Sequence, residues 1–129
     1  MTADEVRLLT ESTLAMARQR LCEALTVRIN EEPDHTLQRL LERFGGVHGD
    51  DQAAHAGLDL ADWCARREMQ AAALGRPLLF WARAKRGADA LAGSHLAALQ
   101  GQHVEAMTLA LAGLERVLSL QAANKSIRT

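Results

Sequence analysis

Aromatic side chains make up 3% of this chain, and tyrosine is missing altogether. A core of stacked rings is thereby excluded, and a base-stacking nucleic-acid platform loses most of its material. There are two cysteines, Cys22 and Cys64, without CxxC spacing. Neither a disulfide framework nor a thiolate metal site is expected from them, because an isolated thiol inside a helical pattern packs as a small hydrophobe. No apolar run approaches the ~20 residues that span a bilayer, so no membrane partner is expected. The opening MTADEVRLLTES has acids where a secretory leader needs positive charge, which points to a soluble, cytoplasmic protein. Thr, Val and Ile are too scattered for period-two runs, and strands are excluded with them.

What remains is a chain of 129 residues that is 48% hydrophobic and must build its core from Ala, Leu, Val and Met, a composition that suits helices. The reading is a single all-α domain over 1–129, of about five helices, in a bundle or an array of helical hairpins. The formal charge of −1 conceals a division: residues 1–62 carry twelve acidic and six basic side chains, residues 63–129 four and nine. Such polarity can hold the two parts together, orient subunits, or steer a charged partner.

Capping and breaking residues divide the chain. Thr2 and Glu5 have capping-box spacing ahead of a helix from Ala3 to Asn30, with Val6, Leu9, Leu14, Ala17, Leu21, Leu25 and Ile29 as its stripe; Pro33 ends it. Asp34 caps a second helix through Phe44, with Leu37, Leu40, Leu41 and Phe44 apolar. The polar, Gly-rich stretch at 45–52 is the expected hinge. A third helix starts near Asp50 or Asp51 and runs to Leu74, with Leu58, Ala61, Ala65, Met69 and Ala72 as its stripe. Gly75 stops it, and Pro77 opens a fourth that reaches about Gln100. A fifth runs from Gln102 to about Ala123, leaving six frayed residues.

The last two helices read as a hairpin around Gly101. Leu91, His95, Leu96 and Leu99 recur before it, and Val104, Met107, Leu111, Leu114 and Leu118 after it, at helical spacing. Small residues (Ala92, Gly93, Ala97, Ala106, Ala110, Gly113) allow close approach of the two backbones. Leu111 is expected deep in the core, where Leu111→Ala would cost about 2 to 5 kcal/mol. Between Ala90 and Leu118 the hairpin resembles a tetratricopeptide repeat: Gly101 falls at the turn, Ala106 on the family's small position, and Ser94 and Gly113 are small where the family is small. Ala90, Ala97 and Ala110 stand where the family has Trp, Tyr and Phe, Gly93 stands for its Leu, and Leu118 for its Pro. The resemblance implies an interaction module. Small bacterial proteins of this appearance include secretion-system chaperones that shield a helical client in a groove.

Two residue groups are candidates for chemistry. Asp51, His55, Asp59 and Asp62 lie on one helical face, with His48 and Asp50 nearby, and imidazole with carboxylates suits zinc, iron or manganese; the alternative is a solvated acidic face. The basic run Arg66, Arg67, Arg76, Arg83, Lys85 and Arg86, with Phe80 and Trp81 embedded, has the residue types of a binding hot spot. Arg66, Arg67, Arg76, Phe80, Trp81, Arg83 and Arg86 are the expected surface for an acidic protein partner, with nucleic acid disfavoured by the overall charge. His35, His95 and His103 have no acid or nucleophile at a spacing that forces a dyad, so no catalytic residue and no cofactor is expected. The preferred reading is a non-enzymatic helical adaptor or chaperone, homodimeric or in complex with another helical protein. A small metal- or ligand-binding helical enzyme or sensor is the alternative.

Overall fold

A computed structural model describes the chain except for residues 47–48, 77–78 and 129, and except for the side chains of 124–128. The described residues form five helices and no strand: α1 (Ala3–Glu31), α2 (His35–Gly45), α3 (Asp50–Ala73), α4 (Leu79–Leu99) and α5 (His103–Arg128). None of them is long and apolar enough to cross a membrane. Each boundary has a local cause. The Glu5 amide donates to the Thr2 hydroxyl at 3.2 Å, and the Leu37 amide to Asp34 Oδ1 at 2.9 Å, so two orphan donors at helix starts are satisfied. Gly75 and Gly101 adopt φ of 67° and 71°, the left-handed region. There they close α3 and α4 with paired bonds, Arg76 N–H to Ala71 O and Gln102 N–H to Ala97 O at 2.8 and 2.9 Å. Pro77, expected to open α4, and His48, expected near the acidic stripe, lie outside the described residues, as does part of the expected hinge at 45–52. Helix α5 continues to Arg128, past the end expected near Ala123.

The chain runs up α1, down the short α2, up α3, down α4 and up α5. Arg20 meets Gln121, and Thr10 shares a small cleft with His103, so α1 and α5 run parallel and close the bundle. The largest interfaces are α3 with α4 and α4 with α5. They are close because they are built from small side chains: Ala53, Ala56, Gly57, Ala61, Ala88, Ala92, Ala106, Ala110 and Gly113 are all buried. A Cβ at Gly113 would come within 2.5 Å of Leu91 Cδ2, which shows how near α5 lies to α4. Larger side chains fill the space that the closer pairs leave: Leu14, Leu21 and Leu25 from α1, Leu37 and Phe44 from α2, Leu60 from α3, Leu91 from α4, and Val117 and Leu120 from α5.

This packing corrects the expected stripes. Leu111 is 52% exposed, not deep in the core, and Leu118 and Val104 are 44% and 76% exposed. Leu58, Met69, Leu96, Leu99 and Leu9 are also on the outside. The physical reason is the close helix approach: the face with Ala106, Ala110, Gly113 and Val117 turns inwards, so the bulky face of α5 is left outside. In α1 and α2 the expected stripes do point inwards, Leu9 aside.

Candidate functional site

Helix α1 ends at Glu31, the turn through Pro33 reverses the chain into α2, and α4 begins alongside the end of α3. These breaks leave a cavity of about 570 Å³ at one end of the bundle. Its apolar lining includes Leu37, Leu79, Phe80, Trp81 and Ala123; its charged lining is Arg28, Arg67, Arg76, Arg83, Glu31 and Glu32. Phe80 and Trp81 meet edge to face, with centroids 5.0 Å apart, and Trp63 meets Trp81 at 5.5 Å. Three of the four aromatic residues of this chain are thus concentrated at one place, the fourth, Phe44, being in the core.

Two of the arginines, Arg28 and Arg67, are fixed to the rings. Arg28 lies over Phe80 at 4.1 Å, and Arg67 lies 5.0 Å from the Trp63 centroid and 5.5 Å from that of Trp81. A guanidinium stacked on a ring keeps its edge free for hydrogen bonding, which an ammonium cannot do. Arg67 also reaches Asp34 at 3.7 Å and Glu32 at 3.9 Å, while Arg28 reaches Glu31 at 3.6 Å. Asp34 is used twice, since Oδ1 caps α2 and Oδ2 faces Arg67. The buried Nε atoms of Arg28 and Arg67 have no hydrogen-bond acceptor among the described residues. Arg76 and Arg83 have no ion-pair partner among the described residues either.

The structure brings five of the seven residues of the expected partner surface, Arg67, Arg76, Phe80, Trp81 and Arg83, to this one cavity. Arg66 does not join them; it pairs with Asp62 at 2.7 Å one turn away. Arg86 is exposed and outside the lining. Arg28, Glu31, Glu32 and Trp63 were not anticipated at this site. Arg28 stands at the end of a helix remote in sequence from the basic run, so no local pattern announces it.

A second cluster lies in the interior. His95 of α4 is 3% exposed and bridges α3 to α1, its Nδ1 2.9 Å from Asp50 Oδ1 and its Nε2 3.0 Å from an Arg18 guanidinium nitrogen. Arginine only donates, so Nε2 accepts and Nδ1 carries the proton given to Asp50. Burial, chiefly, lowers the His95 pKa from its ordinary value, with the Arg18 charge in the same direction and Asp50 opposing. With both nitrogens engaged, neither is open to a substrate proton. Burial likewise pushes the Cys64 thiol up to about 12 and Cys22 to about 11, away from nucleophilic thiolate chemistry.

The acidic stripe does not converge on one point: Asp51 and His55 contact each other, with Nδ1 3.5 Å from Oδ1, and the remaining carboxylates pair elsewhere. Asp59 pairs with Arg43 at 2.6 Å, Asp62 with Arg66, Asp50 with His95, and His55 Nδ1 contacts the Asp51 backbone oxygen at 2.9 Å. Among the described residues no three His, Cys, Asp or Glu side chains converge as metal ligands. Comparison with family models, curated proteins and solved structures gives no match for this chain.

Proposed function

We propose that this protein is a non-enzymatic helical interaction module that engages a helical partner along α5, and that a second copy of the chain is such a partner. The observation that carries this reading is the outward face of α5. Val104, Leu111 and Leu118 recur every seven residues and are exposed, with the half-buried Met107 and Leu114 between them. That is the spacing of a coiled-coil seam, apolar at the first and fourth positions of each heptad. Helix α5 has already satisfied its bundle through Ala106, Ala110, Gly113, Val117 and Leu120. Its second apolar face is more than folding requires, and such remainders mark interfaces.

The seam is self-complementary. An antiparallel two-fold pairing centred on Leu111 sets Val104 of one copy against Leu118 of the other, which closes the contact and leaves no open end. The likeness of the α4–α5 hairpin to a tetratricopeptide repeat supports the same class of function, because in that family helical hairpins present surfaces to other helices. The cytoplasmic setting of a chaperone or adaptor belongs to this proposal.

Light scattering on the purified chain tests it. The wild type is expected at twice the mass of the chain, and the double variant Val104→Asp, Leu111→Asp at the mass of one chain with unchanged helicity by circular dichroism. A wild type that stays monomeric at high concentration, or a double variant that stays dimeric, overturns the proposal.

A further inference from the structure

The geometry points to the cavity at the α1–α4 end of the bundle as a binding site for a small carboxylic acid with an apolar body. The site is separate from the α5 seam, and the inference stands or falls without it. Three features of the lining specify the ligand. The volume of about 570 Å³ lies within the ~300–1,000 Å³ of small-molecule sites and is recessed, whereas a protein partner would need a broad open face. The walls formed by Leu37, Phe80 and Trp81 suit a hydrocarbon or aromatic body. The polar part of the lining supplies donors in excess, since guanidinium groups are planar forks that match a carboxylate by two parallel hydrogen bonds.

Charge selects a monoanion. Four arginines line the cavity against Glu31 and Glu32, and Asp34 stands behind Arg67. Among the described residues the excess is a single positive charge, enough for one carboxylate and too little for a phosphate dianion beside two glutamates. The donors are also unspent. Arg76 and Arg83 have no ion-pair partner among the described residues. A carboxylate that enters therefore displaces no ion pair of Arg76 or Arg83. Stacking on Phe80, Trp63 and Trp81 holds Arg28 and Arg67 in place beforehand, so little side-chain freedom is lost when the acid enters.

The protein carries its own reporter. It has two tryptophans, Trp63 and Trp81; the second lines the cavity and the first touches it edge to face. Intrinsic fluorescence is titrated with decanoate, with decan-1-ol as the uncharged counterpart and decyl phosphate as the dianionic one. A saturable change with decanoate, binding about tenfold or more tighter than decanol, is expected from one charge-assisted pair. The double variant Arg76→Gln, Arg83→Gln, which removes no ion pair seen in the structure, is expected to weaken decanoate about tenfold or more while leaving decanol unchanged. Circular dichroism establishes that the variant is folded; Arg83→Lys, which keeps the charge and loses the fork, is expected to fall between the two and serves in its place if the double variant unfolds. No saturable change with decanoate overturns the inference. So do equal binding of acid and alcohol, an indifferent arginine variant, or tighter binding of decyl phosphate.

Discussion

His95 is held neutral in the middle of the molecule, and its three surroundings act in different directions. Desolvation lowers its pKa, the Arg18 charge lowers it further, and the bond to Asp50 opposes both. The folded-state value therefore lies below the ~6.5 of an unfolded histidine. The native state then binds fewer protons than the unfolded chain across that interval. The stability contributed by His95 is complete above about pH 6.5 and is lost as pH falls through the lower folded value. Urea unfolding of the wild type is expected to show a midpoint that declines as pH falls below about 6.5. His95→Gln can still accept from Arg18 and donate to Asp50 but does not titrate, so its midpoint should decline less over the same range. Parallel declines would assign the pH dependence to other groups. In the sequence His95 is one histidine in an otherwise apolar and small helix face, a pattern that signals burial. Its partners Arg18 and Asp50 lie on two other helices, so no spacing reveals them.

Helix ends and helix faces were legible to different degrees, for a physical reason. Ends depend on local chemistry: Thr2, Asp34, Pro33, Gly75 and Gly101 act within a turn of themselves, and each stands where a helix starts or stops. Faces depend on what lies across the interface. In α5 two candidate faces compete, one with Val104, Leu111 and Leu118 and one with Ala106, Ala110, Gly113 and Val117. Counting apolar bulk favours the first, but close packing against α4 selects the second. The glycines measure that closeness. An alanine at Gly113 would crowd Leu91 with contacts of 2.5 and 2.9 Å, whereas one at Gly87 would meet Val117 at 3.5 Å, an ordinary contact. Gly113→Ala is therefore expected to destabilise by about 1–3 kcal/mol despite better helix propensity. Gly87→Ala should stabilise by about 0.5–1 kcal/mol, because only the propensity gain remains. Denaturant midpoints of the two variants decide it; the same sign for both would mean that α4 and α5 are spaced otherwise.

On the scale of the whole molecule, the division of charge along the chain becomes local contacts. Arg67 from the basic part lies near Glu32 and Asp34 from the acidic part, and this joins α3 to the α1–α2 turn. The basic and aromatic run was legible as a binding group because most of it lies within a few turns of sequence. The cavity it lines was not, since its other side comes from the end of α1. The exposed part of the apolar face of α5, Val104, Leu111 and Leu118, belongs to this scale too, because much of its surface is left uncovered by the bundle. Leu111→Asn is accordingly expected to lower the unfolding free energy of the monomer by only about 1 kcal/mol, well short of a core cavity. Its effect should lie in concentration dependence. If two copies pair along α5, mass action stabilises the folded dimer, so the wild-type melting temperature rises with protein concentration. That rise should be small or absent in Leu111→Asn. Since the contact is apolar, it should also persist in molar salt, where exposed charge pairs are screened over about 3 Å. Calorimetric scans over a hundredfold range of concentration, at low and high salt, measure both. A melting temperature independent of concentration would leave α5 without a partner copy. One that rises with concentration but loses the rise in salt would move the interface to charged surface elsewhere on the molecule.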